Sequence, residues 1–188
     1  TSAEMIKYAS NAFLAVKISF ANEMAGLCEK MGAQGLQVLR GMGLDQRIGS
    51  AFLNPGPGWG GSCFPKDTAA LLAMGAEQNY RLTLIQASRT VNENQRQAIV
   101  NKLQNALKIL RGKTIGILGL AFKAGTDDVR DSPALDIIDK LILQGAQIRV
   151  HDPIALENAR KILNQNNANQ HEIEFCATPE NLAQGCDA

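Results

Sequence analysis

The chain has 188 residues, 45% of them hydrophobic, which is enough for one sizeable core or two small ones. Nineteen basic and eighteen acidic residues leave a formal net charge of +1, which argues against a general polyanion-binding surface and against a nucleic-acid partner. Lys7, Asn11, Lys17, Asn22 and Glu23 interrupt the first apolar stretch, and Cys28, Cys63, Cys176 and Cys186 have neither CxxC spacing nor nearby histidines, so the composition points to a cytoplasmic protein with no membrane segment, metal site or disulfide framework.

Met5, Ala9, Phe13, Val16, Phe20, Met24, Leu27 and Met31 recur every three or four residues, which predicts one long helix from Ala3 to Met31, stopped by Gly32. Leu14, Ile18 and Ala21 make further faces apolar, so this helix is expected to be buried against more than one element, a second subunit included. A short helix over Leu36–Arg40 comes next. The segment from Gly56 to Asp67 then places a thiol, Cys63, between a glycine-rich loop and a helix from Lys66 to Met74. Gly56, Gly58, Gly60 and Gly61 allow positive φ and close backbone approach, and Pro65 pre-sets a first helical turn. Helix amides and Lys66 beside a cysteine favour a nucleophilic thiolate; taken alone, the loop is equally compatible with a small buried cysteine in a tight turn.

A second helix, expected to exceed the first in length, follows the spacing of Leu84, Ala87, Val91, Gln95, Ala98, Lys102, Leu103 and Leu107, with Asn92, Glu93, Asn94 and Arg96 on its polar faces. Arg111-Gly112-Lys113 then divides a helical domain, 1–110, from an alternating strand–helix domain, 111–188. Its expected elements are a strand at Ile115–Leu118, a helix at Pro133–Leu143, a strand at Ile148–His151, a helix at Ile154–Leu163, a loop marked by Asn164, Asn166, Asn167 and Asn169, a strand at Ile173–Cys176 and a helix end near Asn181. This pattern is α/β with a parallel sheet, read as truncated at residue 188. Gly116-Ile117-Leu118-Gly119 with Asp152 matches a dinucleotide fingerprint only superficially, because about fourteen residues intervene before the next helix. Within that loop, Lys123, Thr126, Asp127, Asp128, Arg130 and Asp131 make either a ligand-binding segment or a solvated, internally paired one.

Gly60-Gly61-Ser62-Cys63-Phe64-Pro65-Lys66-Asp67 resembles the catalytic-cysteine motif of the nucleotide-sugar dehydrogenases. The resemblance continues through Glu4-Met5-Ile6-Lys7-Tyr8-Ala9-Ser10-Asn11-Ala12-Phe13, Asp45-Gln46-Arg47-Ile48-Gly49 and Leu118-Gly119-Leu120-Ala121-Phe122-Lys123, in order and spacing, over nearly the whole chain. It implies an all-helical central, dimerising domain followed by part of a Rossmann-like domain that binds the UDP-sugar, with the family's NAD-binding Rossmann domain absent. The activity it implies is oxidation of UDP-glucose to UDP-glucuronate by two NAD; GDP-mannose or UDP-N-acetylmannosamine are the alternative substrates, and a non-catalytic dimeric nucleotide-binding module is the alternative for the chain alone.

Site roles follow from the same resemblance. Cys63 is the nucleophile, Lys7 and Asn11 stabilise an oxyanion at C6 of the sugar, and Asp67 orients or activates water. Arg47, Phe52, Leu53, Gly60, Phe122 and Lys123 are substrate contacts, with Arg47 reaching the neighbouring subunit's substrate. Lys66 and Arg130 are cofactor contacts, and no metal is implied.

Overall fold

The computed structural model describes residues 2–166 and 173–188, so Asn167 and Asn169 of the predicted asparagine loop lie outside the described residues. Two compact units make up the chain, Thr1–Gln95 and Arg96–Ala188. The first contains α1 (Ser2–Met31), α2 (Gly35–Gly43), α3 (Phe64–Glu77) and the beginning of α4 (Thr83–Leu107). The remaining elements, β1 (Thr114–Leu118), α5 (Pro133–Leu143), β2 (Gln147–His151), α6 (Leu156–Asn166), β3 (Ile173–Phe175) and α7 (Pro179–Ala183), lie in the second. No helix among the described residues is long and apolar enough to cross a membrane.

Helix α1 has the predicted extent, and Gly32 ends it with φ of 72°, a left-handed conformation open to glycine at no steric cost. Within the single chain only part of its surface is covered. Ala12, Ala15, Ser19, Ala21 and Asn22 are its buried residues, whereas Phe13 is 62% and Met31 74% exposed, with Met5, Phe20 and Leu27 also exposed. Small side chains let neighbouring elements approach α1 closely, so α1 contributes alanines and polar groups to an interior that also holds Leu39, Leu53, Trp59 and Leu71, while its larger apolar residues face out. Helix α4, with 25 residues, is shorter than the 30 of α1, contrary to the expected order. Its predicted stripe also divides. Leu84 is 65% exposed, Ser88 and Asn92 are buried, and only from Ile99 onward does the helix enter the second core.

That second core explains why compactness divides the chain inside α4 and not at Gly112. Val100, with Leu103 and Leu107, packs into the cluster formed by Ile115, Ile138, Leu141, Ile148 and Val150. Burying a leucine as completely as Leu141 stabilises the fold by about 1.5–3 kcal/mol. The sheet is parallel throughout, in the order β1-β2-β3, with Ile115 opposite Ile148 and Val150 opposite Phe175. Parallel neighbours need crossovers, which α5 and α6 provide. Ser132 caps α5, its hydroxyl accepting from the Ala134 amide at 3.3 Å, and Pro133 occupies the first turn. Along the other edge of β1, the Asp187 amide donates to the Thr114 carbonyl at 2.8 Å and the Gly116 amide to the Ala188 carbonyl at 2.8 Å.

Candidate active site

Cys63 is the residue immediately before α3, and Pro65 lies in that helix's first turn. Its thiol is exposed, and its carbonyl accepts the Asp67 amide at 2.8 Å, the bond that opens the helix. Of the four glycines before it, Gly58 (φ 114°) and Gly61 (φ 80°) adopt positive φ; Gly56 and Gly60 do not. Phe64 packs edge-on against Phe52 and Trp59, each ring centroid 6.3 Å away. Phe52 itself has φ of 64°, an uncommon conformation for a bulky residue and a mark of local strain beside the cysteine.

Asp67 is fully buried one turn into α3. Asn11 Nδ2, from α1, donates to its Oδ2 at 2.6 Å, bringing together two predicted site residues that lie 56 positions apart. Oδ1 makes no hydrogen bond, and the exposed Lys66 ammonium stands 4.0 Å from it. Lys7, one turn before Asn11 on α1, lies over its neighbour's ring, 5.9 Å from the Tyr8 centroid. Gly60 is buried, and Leu53, predicted as a substrate contact, is only 5% exposed with its amide donating to the Ser50 carbonyl at 3.3 Å; its side chain belongs to the interior of the first unit. Arg47 is on the open surface, forked onto Asp45, with Nε 3.0 Å from Oδ1 and Nη2 2.6 Å from Oδ2, and the guanidinium holds the Asp45 carboxyl below its ordinary range.

A polar bracket around the cysteine loop is not evident from the sequence. Asn92 Oδ1 accepts the Trp59 amide at 2.7 Å, and its Nδ2 donates to the Trp59 carbonyl at 2.9 Å. Trp59 Nε1 donates to Ser19 Oγ at 2.9 Å, and Ser88 Oγ donates to the same oxygen at 2.9 Å. Gly56 gives its amide to Asn22 Oδ1 at 2.7 Å, and its carbonyl accepts from Gln95 Nε2 at 2.8 Å. The available signal was Ser88 and Asn92, two polar residues one helical turn apart and adjacent to an apolar stripe; a solvated face has the same spacing.

The second unit carries Phe122, Lys123 and Arg130 on the loop between β1 and α5. The Phe122 amide donates to the Asp128 carbonyl at 3.1 Å, and Thr126 Oγ1 donates to the Lys123 carbonyl at 2.8 Å, so the segment folds back on itself. Lys123 is exposed. Arg130 forks onto Asp128, with Nε 2.9 Å from Oδ1, and its side-chain and backbone donors hold the Asp128 carboxyl down to about 2. Asn158 of α6 ties the loop down by donating to the Asp127 carbonyl at 3.1 Å.

Asp152, the acidic residue of the superficial dinucleotide match, is committed elsewhere. Its Oδ2 accepts the amides of Leu120 at 2.8 Å and Ala121 at 3.2 Å, while Oδ1 accepts those of Ile154 at 2.8 Å and Ala155 at 2.7 Å. Burial pushes this carboxyl up, but the four amides outweigh it and the net shift is downward. A carboxylate with both oxygens engaged by the backbone does not fit the ribose contact of a dinucleotide turn, and the long loop after β1 does not fit the pyrophosphate turn.

Both units have counterparts among known proteins. Residues 1–94 match the UDP-glucose/GDP-mannose dehydrogenase family, central domain, and residues 116–188 match the UDP binding domain of the same family. Among its relatives, UDP-glucose 6-dehydrogenase YwqF of Bacillus subtilis is 49% identical over 187 residues, covering 100% of this chain and 41% of that protein. TuaD, a UDP-glucose 6-dehydrogenase of the same organism, is 54% identical over 164 residues, 87% of this chain and 36% of its own length. The UDP-glucose dehydrogenase structure from the hyperthermophilic archaeon Pyrobaculum islandicum superposes with a TM-score of 0.90 at 41% identity, over 96% of this chain and 40% of that one. The chain thus spans about two fifths of the length of the relatives it matches. With one match on the helical unit and the other on the parallel sheet, in the order the motifs predict, the chain belongs to the UDP-glucose/GDP-mannose dehydrogenase family.

Proposed function

We propose that this chain is the part of a UDP-glucose 6-dehydrogenase that carries the nucleophilic thiol, in a helical central domain, and the nucleotide-binding unit for the UDP-sugar. The observation that carries the reading is the exposed Cys63 at the start of α3, one turn before the buried Asp67 that Asn11 hydrogen-bonds. The reaction takes an alcohol to an acid in two two-electron oxidations, and NAD supplies both hydride acceptances when bound. Cys63 adds to the aldehyde carbon, forming a C–S bond and placing negative charge on oxygen; Lys7 and Asn11 donate toward that oxygen. After the second oxidation the carbon is a thioester. Water then attacks it, the C–S bond breaks and the thiol is regenerated. Asp67, with Oδ1 unused by any protein donor, orients that water.

Arg47, Phe52, Gly60, Phe122 and Lys123 contact the sugar nucleotide, Leu53 through its backbone. Arg47 serves the neighbouring subunit's substrate. Lys66 and Arg130, both exposed cations, are the groups that fit a dinucleotide phosphate, whereas neither unit supplies a dinucleotide turn among the described residues. Calorimetric titration of this chain with NAD is therefore expected to give no saturable micromolar binding, and such binding would mean that the β1–α5 loop is a cofactor site after all. In the full-length enzyme, two NAD are expected to be reduced per UDP-glucose consumed. A ratio of one, or a clear preference for GDP-mannose or UDP-N-acetylmannosamine, would refute the substrate assignment.

The chain is also proposed to form a homodimer through α1. Phe13, Phe20, Leu27 and Met31 stand exposed along it, and Val16 and Phe20 line a shallow groove with Leu84, Ala87 and Val91 of α4. Such a continuous apolar face on a lone subunit favours association. Sedimentation at micromolar concentration is expected to show a dimer, and Phe13→Glu with Phe20→Glu to shift it to monomer; a soluble wild-type monomer would count against the interface.

A further inference from the structure

Both flanks of the cysteine are fastened to one face of α4. Arg89, Asn92 and Gln95 follow one another at three-residue spacing, so they share a helical face. Gln95 holds the Gly56 carbonyl at 2.8 Å, Asn92 holds both backbone groups of Trp59, and Arg89 Nη1 donates to the Pro65 carbonyl at 3.0 Å and to Thr68 Oγ1 at 2.8 Å. Cys63 lies between the second and third of these anchors. We propose that this face of α4, centred on Asn92, is the positioning device that fixes where the Cys63 thiol points; the proposal rests on the reading of Cys63 as the nucleophile.

Asn92 is 3% exposed, and burying an amide is costly unless both its donor and its acceptor are used. Here both are spent on a single residue of the loop, which pairs Trp59 in the way a neighbouring strand would. Close approach is built in as well. A Cβ on Gly58 would meet Asn92 Oδ1 at 2.6 Å, and its φ of 114° is one that side-chain-bearing residues rarely adopt. Trp59 is 5% exposed, and its indole donates to Ser19 Oγ, which Ser88 Oγ in turn holds. With Trp59 pinned at its backbone and ring, and Pro65 pinned two residues beyond the cysteine, the intervening segment 60–64 has little freedom to move the sulfur. Both side-chain hydrogen bonds of Asn92 go to the loop backbone, so it acts through the loop. Nucleophilic attack is sensitive to displacements of about 1 Å, and a misplaced group costs roughly 10²-fold in rate.

Asn92→Ala and the milder Gln95→Ala test this, with Asn92→Asp retaining the acceptor toward the Trp59 amide while losing the donor. Hydrogen exchange on this chain is expected to show amides 58–63 exchanging at least about tenfold faster in Asn92→Ala, with α1 and α3 as protected as in the wild type. In the full-length enzyme kcat is expected to fall about 30- to 100-fold while KM for UDP-glucose stays within about threefold, with Asn92→Asp and Gln95→Ala intermediate. Unchanged exchange at 58–63, a uniform loss of protection across the first unit, or an unchanged kcat overturns the proposal. Cys63→Ala is assayed alongside. If it keeps turnover, the functional reading fails; if it is inactive while the Asn92 and Gln95 variants keep wild-type kcat, only the positioning role fails.

Discussion

Cys63→Ala in the full-length dehydrogenase is expected to lower formation of UDP-glucuronate by at least about 10⁴-fold while leaving UDP-glucose affinity within a few-fold of wild type. Loss of a nucleophile removes an interaction made only along the reaction path, whereas the contacts proposed for the nucleotide fall on other residues. Chemical modification gives an independent measurement. Cys63 is exposed, Cys28 and Cys186 are half-buried, and Cys176 is buried. Burial also pushes the Cys186 thiol up, away from the reactive thiolate. Brief treatment with iodoacetamide followed by mass mapping is expected to find Cys63 alkylated first and Cys176 last. Full turnover by the alanine variant would end the covalent mechanism, and preferential labelling of Cys28 would remove the claim that Cys63 is the accessible nucleophile.

Asp152→Ala is expected to destabilise the second unit by about 3–5 kcal/mol. Four amides converge on that carboxylate, two from the start of the β1–α5 loop and two from the approach to α6, and removing it orphans all of them. The pH dependence has a defined sign. The folded-state pKa of Asp152 is lowered from its ordinary 3.8, so its contribution is fully present above about pH 4 and is lost as the pH falls through the lowered value. Asp152→Asn keeps one acceptor oxygen and cannot titrate. Its unfolding free energy is expected to lie between wild type and alanine, with the acid-side slope below pH 4 reduced. Denaturant titrations at pH 7 and pH 3 read both effects; equal stability of wild type and Asp152→Asn at pH 7 would show that the second oxygen and its charge contribute nothing.

Asp152 also illustrates how a motif misleads. Read as sequence, an acidic residue at the end of a strand after Gly-x-x-Gly invites a ribose contact. In the structure the same residue stitches the β1–α5 loop to α6, which places Phe122, Lys123 and Arg130 on a segment anchored at its base.

Local chemistry was legible in the residues themselves. The spacing from Met5 to Met31 specifies α1, Ser132 and Pro133 start α5, alternating helices and short strands specify a parallel sheet, and glycines followed by Cys63 and Pro65 specify a thiol at the start of a helix. Each of these depends on interactions within a few residues, so the sequence contains the whole argument. Tertiary packing decided the rest. Periodicity shows that α1 has an apolar stripe but not what covers it, and the first unit instead buries Ala12, Ala15 and Ala21, because small residues permit close approach. Periodicity likewise shows α4 as a single helix, although its two ends serve different compact units. The contacts that build the candidate site join positions far apart in sequence, Asn11 to Asp67 and Asn92 to Trp59, and the burial that makes them strong exists only once the chain has closed around them.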